Sequence, residues 1–457
     1  MVISRPESAR SGGVCGMMLG QDDQPDIYTT IGVSMQQYRK WAARGRMVVW
    51  GLLALAVFYF NVRLYGTSPL VKEVDQVPPE LVAQLAASRA ALDAGSASQM
   101  QEHFPEGFYF SYLFHGLTWV ELAMRDPTYT DQATDEAKLC LDKLNSAQGR
   151  RPFPVQLPPG HGMFYCAWKS SLRAGLVMVQ QGSDVDQLAL LQNECDAIAE
   201  AIETSQTPFL ASYYGSAWPC DTVPAIHAMR VYDHVTGENR YDETIDHWLR
   251  EASQRLDPET SLLPHTAELP SGQAVGVARA TSQMIMLRLL PDIEPAFAKQ
   301  QYEIFRERFQ TTLLGAPCLL EYPTGISGSG DVDSGPLIFG RSLSATVLMM
   351  GIAQIYGDHS VADAIAVTGE AVGLPWTTHG QKQYAGGILP IGDLMVTYAH
   401  VARPWIAKQE HYPESMHHVS AWWRWSIHAV STIVLLPAVV YLVCWRMRSA
   451  KGTNVEE

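Results

Sequence analysis

The stretch at residues 321–336, EYPTGISGSGDVDSGP, gathers three carboxylates, Glu321, Asp331 and Asp333, in a glycine-rich loop ahead of an apolar run. Clustered carboxylates raise one another's pKa and can divide the work of general acid and general base. These residue types also have a plainer use. An Asp or Ser ahead of a helix caps its free N–H groups, so either Asp333 or Ser334 alone is accounted for as a cap and the glycines as turns. Two aspartates two apart, with a glutamate ten residues upstream, exceed what a cap requires.

Other reactive side chains fall in similar loops. PFPVQLPPGHG carries His161, with Tyr165 just beyond it. TPFLASYYGSAWPC carries Tyr213, Tyr214, Trp218 and Cys220, with Asp221 following. LLPHTAELPSG carries His265 and Glu268; Tyr322 neighbours Glu321; THGQKQYAGG carries His379 and Tyr384. Each has a structural reading beside the chemical one. His161 suits a turn, Cys220 a small buried hydrophobe, Asp221 a helix cap, and Trp218 with the tyrosines an apolar wall. His227 and Met229, inside a helix, read as packing. The chemical reading rests on the recurrence of the same residue classes from loop to loop. It assigns Asp331, Asp333, Glu321, Cys220, Asp221 and His161 to catalysis, and Tyr213, Tyr214, Trp218, Tyr322, Tyr384 and His265 to the substrate.

The elements that would position these loops are helices. Apolar residues recur at three- and four-residue spacing from Pro79 onward, which predicts twelve helices: 79–95, 107–125, 130–145, 162–181, 184–204, 221–236, 241–255, 275–290, 294–313, 334–357, 359–372 and 390–403. No alternating strand pattern stands out. Links from even- to odd-numbered helices are short, whereas links from odd to even are long and hold the residues above. Short links make antiparallel hairpins, and six in succession predict an all-α fold, an (α/α)6 toroid. In such a ring the long loops gather on one rim, at the N-termini of the inner helices, where negative charge is favoured and function concentrates.

The chain of 457 residues has a net charge of −14 and 18% charged residues. It lacks a basic stripe, which argues against a nucleic-acid partner. Seven cysteines without a CxxC pair, and no HExxH, give no zinc site; neither a metal nor a cofactor is expected. Residues 47–65 open with sixteen uncharged residues, and 426–445 form a second apolar run behind a Trp422, Trp423, Trp425 belt. Arg39, Lys40, Arg44 and Arg46 precede the first; Arg446, Arg448 and Lys451 follow the second. By the positive-inside rule both termini, 1–46 and 446–457, are cytoplasmic, and 66–421 is a periplasmic or extracellular domain. The lipid bilayer is then a partner through two transmembrane helices. A cleavable signal peptide fits less well, because a long polar segment comes first. Five cysteines fall in the outer domain, an odd number, so at least one thiol there is unpaired.

Several stretches resemble linalool dehydratase/isomerase-like proteins. They are YYGSAWPCDTVPAIHAMRVYDHVTGENRYDETIDHWLREASQRLDPETSLL, IEPAFAKQQYEIFRERFQ, GDVDSGPLIFGRSLSATVLMMGIAQIYGD and, more weakly, FHGLTWVELAMRDP. The resemblance covers roughly residues 105–404. It implies an (α/α)6 toroid and cofactor-free acid–base chemistry on a small, largely apolar terpene alcohol. It places Cys220 at the position of one family cysteine. The second family cysteine meets Ala211 or Ser212. The family histidine meets His161 or, on another alignment, Trp168. The family tyrosine has no counterpart near Ala280 to Ser282.

Three readings follow. The first is a membrane-anchored, cofactor-independent lyase or isomerase acting on a small apolar alcohol. The second is a carbohydrate-active enzyme with a glycan substrate, its two carboxylates flanking a glycosidic bond. The third is a non-enzymatic envelope module that binds a lipid or a partner protein. Self-association into a homo-oligomer is open in all three.

Overall fold

The computed structural model describes residues 35–70, 77–408, 419–420 and 422–452. Of the two expected cytoplasmic ends, residues 1–34 and 453–457 lie outside the described residues. The chain divides into two units, Met1–Leu55 and Ala56–Glu457. In the first, the described residues are helical and expose Trp41, Val48, Val49, Leu52 and Leu55.

The chain is mostly helical. In order the helices are α1 Met35–Arg63, α2 Pro79–Asp93, α3 Ser96–His103, α4 Gly107–Arg125, α5 Thr130–Asn145, α6 Ala147–Arg150, α7 Gly162–Val179, α8 Val185–Glu203, α9 Pro219–Thr236, α10 Asp242–Ser253, α11 Ala280–Ile293, α12 Pro295–Phe309, α13 Leu343–Ile355, α14 His359–Val372, α15 Pro390–His400 and α16 Trp423–Gly452. Two contain windows long and apolar enough to span a membrane, Trp41–Arg63 and Trp423–Met447. Both expose large apolar side chains such as Phe58 and Leu436.

Side-chain patterning sets how the middle helices pack. α4, α7, α9 and α11 are buried almost all the way round, whereas α5, α10 and α12 bury one face. α4 packs on α7, α7 on α9, α9 on α11, α11 on α13, α13 on α15, and α15 on α4. Outside these, α5 lies on α4 and α7, α8 on α7 and α9, α10 on α9, α12 on α11, α14 on α13, and α2 on α4 and α15.

Strands were not expected, but seven short ones occur among the described residues, in three small antiparallel sheets. They are β1 Thr266–Ala267 with β2 Ala274–Val275; β3 Gln310–Leu313, β4 Ala316–Leu320 and β5 Arg341–Ser342; and β6 Trp376–Thr378 with β7 Gln381–Gln383. They correct three helix boundaries. The helix expected at 275–290 begins at Ala280, after β2. The one expected at 294–313 ends at Phe309, where β3 starts. The one expected at 334–357 begins only at Leu343. There Asp331 and Ser334 bond to each other, Asp331 N donating to Ser334 Oγ at 2.9 Å and Ser334 N to Asp331 Oδ1 at 3.0 Å. The chain closes on itself instead of starting a helix. Ser342, not Asp333 or Ser334, caps α13 by accepting from Ala345 N.

The C-terminal ends of these central helices are closed by the segment after α15. Asp292 of α11 accepts from the backbone N–H groups of Trp405, Ile406 and Ala407 at 2.8, 2.9 and 2.7 Å, and faces His227 Nε2 at 3.1 Å. Burial works to raise the Asp292 carboxyl, but His227 and these donors hold it below its ordinary value. Trp405 donates its indole N–H to Glu121 (3.2 Å), which also receives Arg288 at 2.5 Å. A Cβ on Gly175 would stand 2.8 Å from Val120 and 2.9 Å from Trp405. Gly175→Ala is therefore expected to cost about 1–3 kcal/mol by overpacking. A lowered melting temperature in detergent micelles checks this; an unchanged one contradicts the close approach.

Candidate active site

The opposite ends, the N-termini of the central helices, are stitched together by their loops. Met163 N donates to Ala211 O (2.9 Å), joining the start of α7 to the loop before α9. Gly162, at φ +82, lies so close to Ser212 O that a Cβ would stand 2.3 Å from it. Ala267 N donates to Ala217 O (2.9 Å), joining the loops before α9 and α11. Ala280 N donates to Glu321 O (2.9 Å), joining α11 to the loop before α13. Tyr213 donates its hydroxyl to Glu106, the residue before α4. Hydrogen bonds between loops fix their side chains more firmly than loop backbone alone would.

Asp221 and Cys220 lie in the first turn of α9, which starts at Pro219. Asp221 does not cap that helix. It is buried and accepts from Ser212 Oγ at 2.5 Å. Burial pushes its carboxyl up to about 7; the Ser212 bond opposes this, and the negative charges of Asp333 and Glu106 add to it. The indole N–H of buried Trp168 also works to lower it.

Asp333 is exposed at its surface, yet surrounding protein desolvates its carboxyl. That desolvation, then Asp331 and Glu106, pushes it up to about 6 against the pull of Arg279. Asp331 has the opposite fate. Burial pushes it up, but Arg279 and Ser334 hold it down to about 2. Glu321 is fully buried, and its Oε1 accepts from Arg279 Nε and Thr281 Oγ1, both at 2.8 Å. Burial raises it, opposed by the same two residues, and its Oε2 has no partner. Arg279, lying over the Tyr322 ring at 5.2 Å, thus bridges Glu321 and Asp331.

Burial, then Asp221, pushes the Cys220 thiol well above its usual range, with Ser282 opposing. It is a protonated thiol at neutral pH, not a thiolate nucleophile. The six described cysteines are unpaired. His265 Nδ1 lies 2.5 Å from Ser282 Oγ. Burial and then Arg279 lower it to about 4, so this imidazole is neutral at pH 7. Tyr213 meets Trp218 edge-on at 5.8 Å, with Phe153 and Phe164 behind it at 6.2 and 6.4 Å. Tyr214 is exposed beside them.

The structure therefore brings together Asp221, Cys220, Asp331, Asp333, Glu321, His265, Tyr213, Trp218 and Tyr322. Two further expected site residues make their contacts with other groups. His161 lies against Tyr165 at 5.1 Å, and Tyr165 donates to Asn145; neither is hydrogen-bonded to the carboxylates. Tyr384 donates to Glu370 at 2.5 Å and accepts from Gln84 at 3.0 Å, in a polar knot on α14 and α2. Sequence reasoning passed over Glu106, Arg279, Ser212 and Ser282. Only Arg279 left a signal: a cation immediately before α11 opposes the helix dipole and calls for acidic partners.

These shifts fix how stability varies with pH. A raised carboxyl binds its proton more tightly in the folded protein, so its contribution is fully present below the ordinary value of 3.8 and is lost as pH rises through about 7 for Asp221. Asp333 acts in the same sense through about 6. Asp331 acts oppositely, its contribution being lost as pH falls through about 2. The melting temperature of wild type relative to Asp221→Asn is expected to fall between pH 5 and pH 8. A constant difference contradicts the raised Asp221.

No family model matches the sequence, and no curated protein matches it.

Proposed function

We propose that the chain is a membrane-anchored enzyme carrying out cofactor-independent acid–base chemistry, a lyase or isomerase acting on a small apolar alcohol. The carrying observation is a pair of interacting carboxyls, Asp221 raised to about 7 and Asp333 raised to about 6, the charge of Asp333 being one cause of the rise at Asp221. Carboxyl groups raised toward neutrality can exchange protons near pH 7, the one with the higher value serving as acid and the other as base. In this reading α4, α7, α9, α11, α13 and α15 are the inner helices of an (α/α)6 toroid. The unbroken succession of neighbour contacts, with α15 returning to α4, supports it.

Protonated Asp221 would give its proton to the substrate hydroxyl, and the C–O bond would break with loss of water. Asp333, ionised above about pH 6, would take a proton from the adjacent carbon, whose C–H electrons form the double bond. Asp221 ends ionised and Asp333 protonated; one proton passed between them restores the site. Isomerisation adds water back at another carbon by the reverse steps. Tyr213 and Trp218 would wall the apolar part of the substrate. The test is loss of turnover in Asp221→Asn. A second reading, glycoside hydrolysis, is favoured by exposed Tyr214 and half-buried Trp218, aromatic rings on which a sugar could stack.

The two long apolar helices would anchor the domain, both termini cytoplasmic and residues 66–421 outside, as the flanking Arg44, Arg46 and Arg446 favour. A C-terminal fluorescent-protein fusion is expected to fluoresce and a C-terminal alkaline phosphatase fusion to be inactive. The converse pair of results would reverse the topology.

A further inference from the structure

Between residues 79 and 408, Leu313, Leu314, Phe339, Val372, Leu374 and Trp376 are exposed on or beside the elements that meet α16 and the end of α1. There Leu64 and Trp423 are buried together with Ala316 of β4 and Ala371 of α14, and Ile427, one turn into α16, is buried with them. Gly315, in the β3–β4 turn, lies so close that a Cβ would stand 2.5 Å from the Trp423 carbonyl oxygen. Arg63 binds Glu370 near the end of α14 at 2.6 Å, and Arg424 Nε donates to Leu64 O at 2.8 Å.

The elements that grip the helix ends carry the apolar surface. Leu313 and Leu314 flank the β3–β4 turn beside Gly315; Val372 follows Ala371, with Leu374 and Trp376 just beyond. Phe339, 82% exposed, belongs to the same sheet edge, because Arg341 donates both to its carbonyl and to Thr312 O of β3. The basic residues here, Arg63, Arg341 and Arg424, are spaced among apolar ones. That mixture suits a lipid interface, where apolar side chains reach the acyl boundary and cations reach headgroups. Large exposed apolar patches are uncommon on a domain standing free in water.

We propose that this collar is seated in the lipid interface of the bilayer that the two long helices cross, so that the domain docks on the membrane surface as well as being tethered to it. This rests on the reading of those helices as membrane-spanning. Continuity identifies the occupant as lipid: the collar adjoins the buried contacts of Trp423 and Ile427, at the point where α16 leaves the domain.

The test uses the full chain in phosphatidylcholine–phosphatidylglycerol vesicles. A nitroxide is placed singly at Leu314→Cys, Trp376→Cys, Val185→Cys or Leu436→Cys, and the labelling of the unsubstituted protein is subtracted. Relaxation by oxygen, enriched in lipid, is compared with relaxation by a water-soluble nickel complex. Val185, exposed at the start of α8, reports water, and Leu436, exposed within α16, reports lipid. The expected result is that positions 314 and 376 show oxygen dominating over nickel, as at 436, with the ratio inverted at 185. If 314 and 376 follow 185 while 436 reports lipid, the docking is overturned and the spanning helices stand. If 436 also reports water, the spanning reading fails and the docking with it.

Discussion

Replacing Asp221 by Asn is expected to abolish measurable turnover, slowing it by about 10²–10⁴-fold, the usual worth of a positioned general acid or base. The same substitution is expected to stabilise the protein above pH 7. Asp221 is buried and accepts a hydrogen bond from Ser212. Holding it ionised at alkaline pH works against the desolvation that raises it to about 7. An Asn in its place keeps an oxygen for Ser212 and carries no charge to bury, so that cost disappears. Loss of activity with gain of stability marks a residue retained for chemistry. A structural aspartate would show loss of both. Turnover and melting temperature, measured on the same preparation at pH 6 and pH 8, separate the two. In wild type, kcat is expected to fall as pH rises through about 7, because the acid must carry its proton.

The second large effect belongs to Arg279. Arg279→Met removes the partner of a fully buried glutamate and of Asp331 together. Breaking a buried ion pair by deleting one member costs about 3–5 kcal/mol, because the charge left behind is uncompensated. Most of the loss should come through Glu321, since Asp331 is partly exposed and the worth of such a pair is screened. Arg279→Met combined with Glu321→Gln is then expected to recover much of the stability, the Gln still accepting from Thr281. Activity should not recover with it, since Asp331 would no longer be held at about 2 and the charge acting on Asp333 would change. Denaturation of the two single variants and the double variant gives the coupling directly. Additive losses would show that Arg279 and Glu321 do not depend on each other.

Much of the helical layout was legible because it is written locally. Short links such as Gly237-Glu-Asn-Arg end one helix and start the next, and α9 and α10 follow closely at both ends of that turn. The loop before α13 was not legible in the same way. Its end is set by the reciprocal bonds of Asp331 and Ser334 and by β5 pairing with β4. The pairing depends on residues more than twenty positions away, which no periodicity reports. The acidic cluster was visible as a set of residue types, but its electrostatics were not. Asp331 and Asp333 are two residues apart and shift in opposite directions, because the guanidinium bridging Asp331 to Glu321 arrives from another loop. Glu106 reached the site unannounced through Tyr213, 107 residues later in the chain. Tyr384 shows the converse: a plausible residue in a plausible loop whose hydroxyl is occupied by Glu370 and Gln84.

The most direct test of the central claim is solvent-proton incorporation. Wild-type protein and Asp221→Asn, reconstituted in vesicles, are incubated in D2O with a panel of small terpenoid alcohols and alkenes, and with oligosaccharides as the alternative class. Products are read by mass spectrometry for carbon-bound deuterium. The account predicts carbon-bound deuterium with the alcohols or alkenes in wild type and none above background in Asp221→Asn. Equal incorporation by both proteins, or new reducing ends from the oligosaccharides in place of carbon-bound deuterium, would contradict it.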